Sequence, residues 1–130
     1  MHHISIRTRD LARAASFYGS FGFLPEARFT SSNQQPGAWL MGPHGRIELI
    51  QVATDHCPPD SMADADYAGY DHIALAIDVL DDVLATLRAA GAPVPIEAVP
   101  RVMNGRAYRI AMVRDPDGLL VELVEEGPLV

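Results

Sequence analysis

One pattern occurs twice in this chain and constrains its fold more than any other feature. Asp115-Pro116-Asp117-Gly118 is followed by Leu119-Leu120-Val121-Glu122-Leu123-Val124. Pro116 presets φ and Gly118 can take φ > 0, so the first four residues read as a tight turn and the next six as a strand. Glu122 is the exception in an otherwise apolar run. A carboxylate in a buried strand is costly unless it is paired, hydrogen-bonded or bound to a metal. On this strand alone, an outward-facing Glu at a sheet edge would explain it equally well. Pro43-His44-Gly45 followed by Arg46-Ile47-Glu48-Leu49-Ile50 repeats the pattern, again with one Glu among apolar neighbours.

Two further strands open alike, His3-Ile4-Ser5-Ile6-Arg7 and His72-Ile73-Ala74-Leu75-Ala76-Ile77. The order His3, Glu48, His72, Glu122 places one histidine and one glutamate in each half at similar spacing. A fixed-order repeat on this scale indicates duplicated supersecondary units.

Read in order, each half predicts β-α-β-β-β. Asp10 is an N-cap for a helix over about 10–20, with Leu11, Ala14, Ala15, Phe17 or Tyr18 inward and Gly19 and Gly22 ending it. Strands are expected near 24–30, 37–42 and 46–52, with the polar loop 30–36 between the first two. In the second half a strand over about 71–77 leads to a helix from near Asp78 to about 90. Leu80, Val83, Leu84 and Leu87 recur there at i, i+3, i+4, i+7, and Gly91 stops it. Strands near 94–99, 107–114 and 119–125 complete it. The fold class is α+β. The expected organisation is one domain over 1–130, with a first module at 1–54, a linker at 55–69 and a second module at 70–130. His56 and Cys57, beside Pro58-Pro59, read as surface residues of the linker.

Composition narrows the function classes. With 130 residues, 48% hydrophobic and 21% charged, the chain reads as an ordinary globular domain. A net charge of −7 argues against nucleic acid or an anionic membrane as partner. No apolar run approaches the roughly 20 residues of a membrane span. The single Cys57 rules out an internal disulfide framework. No signal peptide is expected before the first strand, and a cytoplasmic location follows by default.

Strand parity brings the polar residues together. Ile4, Ile6, Ile73, Leu75 and Ile77 suit a face under a helix, whereas His3, Ser5 and Arg7, or His72, Ala74 and Ala76, suit a face open to a cavity. In the later strands Ile47, Leu49, Val121 and Leu123 would face the helix and leave Glu48 and Glu122 on the cavity side. Two imidazoles and two carboxylates form a mixed N/O set for one divalent ion, with Zn²⁺, Ni²⁺, Co²⁺, Fe²⁺ and Mn²⁺ all compatible. Four protein ligands in an octahedral shell would leave two positions for water or a small-molecule substrate.

His3 with Asp10-Leu11 and Phe17-Tyr18, then Asp71-His72-Ile73-Ala74-Leu75, then Asp115-Pro116-Asp117-Gly118 with Glu122, resembles the vicinal oxygen chelate superfamily. The resemblance covers essentially the whole chain. It implies paired βαβββ modules forming a cup-shaped mixed sheet around a metal. The ligand set is most similar to that of bacterial-type glyoxalase I, in which a ligand glutamate moves a proton between adjacent carbons of a glutathione hemithioacetal. Carried over, Glu122 is the first catalytic base and Glu48 the second. Arg7 falls where that family has an arginine for a substrate carboxylate. Two other glutathione-binding positions differ: Val52 stands where the family has an asparagine, and Asn104 where a basic residue is expected, although Arg101 and Arg106 are nearby. The resemblance also implies a homodimer with sites at its interface, His3 and Glu48 of one chain meeting His72 and Glu122 of the other.

Three readings follow. The first is a metal-dependent lyase or isomerase of glyoxalase I type, with nickel, zinc or cobalt as the first candidates for the ion. The second is another reaction in the same cup, either an epimerase or an Fe²⁺ dioxygenase using His3, His72 and Glu122. Glu48 counts against the dioxygenase because it takes a position that oxygen and substrate need. The third is a metal-free binding protein, which would need no four converging ligands.

Overall fold

The structure, a computed structural model, describes residues 1–130. The order of elements is β1 (Ile4–Thr8), α1 (Leu11–Gly19), β2 (Leu24–Thr30), β3 (Pro36–Gly42), β4 (Gly45–Gln51), β5 (Ile73–Ala76), α2 (Leu80–Ala89), β6 (Ile96–Met103), β7 (Arg106–Arg114) and β8 (Leu120–Leu129). The chain divides into two units, Met1–Cys57 and Pro58–Val130, each with one helix and one four-stranded mixed sheet. The class is α+β, and each unit is a βαβββ module.

The strand orders match, β1-β4-β3-β2 in the first unit and β5-β8-β7-β6 in the second. In each, the first strand runs parallel to the last, and the other pairings are antiparallel. One irregularity is also shared: the register slips between Pro25 and Ala27 in β2, and between Ile96 and Val99 in β6, whereas a slip between Arg106 and Tyr108 in β7 has no counterpart in the first unit.

In the first unit α1 lies across the sheet and buries Leu11, Ala14, Phe17 and Tyr18. Leu40, Ile47 and Leu49 of the sheet are buried as well. Phe17 packs edge-to-face on Tyr18 and Phe21, with centroids 5.1 Å apart in both pairs. In the second unit Leu80, Leu84 and Leu87 of α2 are buried, as are Val113, Val121 and Leu123 of the sheet. Full burial of each such leucine contributes about 1.5–3 kcal/mol.

Asp10 caps α1 as expected, its Oδ1 accepting from Arg13 N at 3.0 Å. Asp78 does not cap α2. Val79 holds that position and makes no side-chain cap bond. The α2 N-terminus draws its acceptor from the sheet, where Glu125 Oε2 takes the Leu80 N–H at 2.7 Å. In α1 Gln51 Oε1 takes the Leu11 N–H at 2.9 Å. Gln51 follows Glu48 by three residues, and Glu125 follows Glu122 by three, so this cap is duplicated too.

The turn before β8 forms as read: Gly118 has φ 95°, and buried Asp115 accepts from the Asp117 and Leu119 N–H groups at 2.9 Å each. β6 and β7 run longer than expected because Asn104 and Gly105, both at positive φ, close a tight hairpin between them. Segment 52–72 contains no regular strand or helix, yet its middle is anchored: Asp60 holds Arg114 of β7 by both carboxylate oxygens at 3.0 Å. No helix is long and apolar enough to cross a membrane.

Candidate functional site

Each unit brings together one histidine and one glutamate of the expected set. β1 and β4 pair in parallel, so Ser5 stands beside Glu48. His3 lies one residue before β1, two before Ser5, and thus on the same face. Its Nε2 is 3.8 Å from Glu48 Oε1. In the second unit Ala74 stands beside Glu122, and His72, one residue before β5, places Nε2 3.3 Å from Glu122 Oε2. The alternation that buries Leu49 and Leu123 leaves both glutamates half-exposed on the opposite face.

The two pairs differ in what supports them. Glu48 is held at both oxygens: Ser5 Oγ donates to Oε1 and Trp39 Nε1 donates to Oε2, each at 2.8 Å. The Trp39 bond, then that of Ser5, draws the Glu48 carboxyl below its usual range against the opposing effect of burial. Trp39 is itself covered on one face. The Arg46 guanidinium sits 4.7 Å above its ring, and Glu26 grips Arg46 at 2.6 and 2.8 Å.

In the second unit the support falls on the histidine. Asp71 Oδ2 lies 2.5 Å from His72 Nδ1. A carboxylate only accepts, so Nδ1 carries the proton of this bond, and the Nε2 edge of the ring is turned towards Glu122. This is the carboxylate–histidine arrangement that orients imidazole ligands in metal sites. In the first unit Arg46 donates to His2 Nε2 at 3.1 Å, and the two Nδ1 atoms of His2 and His3 are 2.8 Å apart. His2 therefore carries its proton on Nδ1 and donates it to His3, whose own proton faces Glu48. Were His3 to hold a cation through Nε2, its proton would have to move to Nδ1.

Neither unit gathers three or more His, Cys, Asp or Glu side chains into a cation site. The chemistry of each pair, one imidazole nitrogen and one carboxylate partly open to ligands, suits a divalent ion. Arg7 is exposed on the same face as His3 and Ser5, with no carboxylate partner. His56 and Cys57 are exposed on the 52–72 segment. Sequence reading gave Trp39 and Arg46 no role, quoted Asp71 only as part of a motif, and placed Ser5 on the cavity face without a partner. The hairpin contained the signal for Trp39. Gly42 pairs with Gly45, so the residue three before Gly42 must face the residue three after Gly45, which is Glu48.

Residues 1–123 match the family described as the Glyoxalase/Bleomycin resistance protein/Dioxygenase superfamily. A lactoylglutathione lyase from Escherichia coli O157:H7 is 42% identical over 128 residues, covering 95% of this chain and 90% of that protein. The lactoylglutathione lyase GLX1 of Arabidopsis thaliana is 28% identical over 130 residues, of which this chain spans 44% of the plant protein's length. The crystal structure of a glyoxalase family protein from Bacillus cereus superposes with a TM-score of 0.78 at 26% identity, covering 98% of this chain and 94% of that one.

Proposed function

Because this chain belongs to the glyoxalase/bleomycin resistance protein/dioxygenase superfamily, we propose that it is a metal-dependent lyase or isomerase of glyoxalase I type, moving a proton next to a carbonyl of a small substrate. The observation that carries this reading is the duplicated pair, one imidazole and one carboxylate in each unit, on the face opposite the core. The similarity to the lactoylglutathione lyase of Escherichia coli O157:H7 supports the reaction class.

His3, Glu48, His72 and Glu122 would hold the ion. A divalent cation there supplies Lewis-acid polarisation of the substrate's carbonyl and hydroxyl oxygens, with nickel, zinc or cobalt the first to test. The remaining work belongs to the chain. Glu122 accepts the proton from the carbon beside the carbonyl and returns it to the neighbouring carbon, so the oxidation state of the whole substrate is unchanged. Arg7 anchors an anionic group of the substrate. His72, steadied by Asp71, keeps its ring turned so that Nε2 faces Glu122.

Each unit offers only two donors. The proposal therefore includes a homodimer in which His3 and Glu48 of one copy serve the same ion as His72 and Glu122 of the other.

The decisive measurement is turnover of the methylglyoxal–glutathione hemithioacetal, then of other 2-keto and 2-hydroxy thioesters, in Ni²⁺, Co²⁺ and Zn²⁺ forms under argon. Deuterium incorporation from solvent is followed by NMR. Activity that requires oxygen and appears only with Fe²⁺ would overturn proton transfer in favour of a dioxygenase.

A further inference from the structure

The two glutamates occupy equivalent places, yet their neighbours are opposite in kind. In the first unit the residues registered against Glu48 are Ser5 on β1 and Trp39 on β3, and both donate to it. In the second unit the residues registered against Glu122 are Ala74 on β5 and Met112 on β7. Alanine has no polar side-chain atom and methionine has no donor. The side chain facing Glu122 at close range is His72, at 3.3 Å.

We propose that Trp39 and Ser5 are positioning residues that immobilise Glu48, and that their replacement by Met112 and Ala74 leaves Glu122 free to move. The inference rests on the functional reading above and divides the labour between two residues which that reading treats as alternatives. Each carboxylate oxygen has more than one lone pair, so the Trp39 and Ser5 bonds leave Glu48 able to bind a cation while fixing its direction. To collect a proton from a substrate carbon, Glu48 would have to rotate and break both bonds at once. Glu122 has only its contact with His72 to give up. The brace on Glu48 has further support behind it. Trp39 is pinned under Arg46, and Arg46 is held by Glu26 through two hydrogen bonds. Nothing equivalent stands behind Met112.

The chain has a single tryptophan, so one indole N–H resonance reports the contact without ambiguity. In the metal-free full-length protein that resonance is expected downfield in the wild type and to move upfield in Glu48→Ala. The same position in both proteins would overturn the clamp. Trp39→Phe and Ser5→Ala, folded by circular dichroism, are each expected to bind Zn²⁺ about 10–100-fold more weakly by calorimetry, as loss of support behind a ligand does. Unchanged affinity in both would overturn the positioning role. The reverse graft Ala74→Ser gives Glu122 the donor that Glu48 has. It is expected to lower kcat with the hemithioacetal while leaving Zn²⁺ affinity undiminished, and an unchanged kcat would overturn the division of labour. A wild type that binds no metal would sink the functional reading instead. The indole shift would still decide whether Trp39 holds Glu48.

Discussion

Asp71 Oδ2 lies 2.5 Å from His72 Nδ1, and His72 turns its other nitrogen toward Glu122 at 3.3 Å. The ring stands between two carboxylates, and the outer one fixes its orientation. Asp71→Asn removes the charge and keeps the shape. Its metal affinity should fall about 10–100-fold, whereas His72→Ala or Glu122→Ala should abolish tight binding. Calorimetry with Zn²⁺ together with elemental analysis checks both, and wild-type stoichiometry in all three variants would refute the ligand assignment.

If the two half-sites complete one another across copies of the chain, two broken proteins should repair each other. One variant carries His3→Ala and Glu48→Ala, and the other His72→Ala and Glu122→Ala. Neither alone should bind metal tightly. A mixed dimer would contain one site with all four ligands and one with none. Metal binding should therefore return on refolding the two together. Failure to return, or a monomer by light scattering with full metal content, would place a complete site within one chain.

The sheet-derived caps make a stability prediction. Glu125→Ala deprives the Leu80 N–H of its acceptor, and Gln51→Ala does the same to Leu11. Each should cost about 0.5–2 kcal/mol, the usual range for loss of a helix cap. Glu125 should be the more damaging, because it also accepts from Arg109 at 3.2 Å. A urea midpoint unchanged in both variants would reject the caps as energetically significant.

Asp60 predicts a pH dependence. The Arg114 side chain, then the Met62 backbone N–H, holds its carboxyl below the ordinary 3.8. Its folded-state value is thus lower than its unfolded one. The contribution is complete above the ordinary value and is lost as pH falls through the folded one. The wild type should therefore lose stability below about pH 4 more steeply than Asp60→Asn, which has no proton to take up. Parallel acid limbs in urea melts of the two proteins would contradict this. The same substitution should loosen the segment ahead of His72, read as faster amide exchange over 61–71.

How much of this was legible in the sequence depended on whether a feature lies along one strand or across several. The turn at Asp115–Gly118 and the inward phase of Leu49 and Leu123 are local properties of φ preferences and two-residue alternation, and they were visible directly. So was the placement of Glu48 and Glu122 on the face away from the core. Trp39 was not, because its role arises from register with another strand. Asp60 was read as part of a linker, and its partner Arg114 lies 54 residues away. The cap of α2 was hidden for a similar reason. A good capping residue stood near the helix start, but Glu125 of the last strand already occupied the place.

In both units the strand that begins the module pairs in parallel with the strand that ends it. Ile4 is aligned with Ile47 and Ile73 with Val121. Such a pairing has high contact order, since the whole intervening chain is a loop that must close before any bond forms. Each histidine–glutamate pair belongs to that closing seam and comes into being only when its module's sheet is complete. During synthesis the first pair can assemble while much of the second module is still unmade. The second waits for residues near the C-terminus, so a partly made chain carries one pair of donors and cannot yet offer the full set of four.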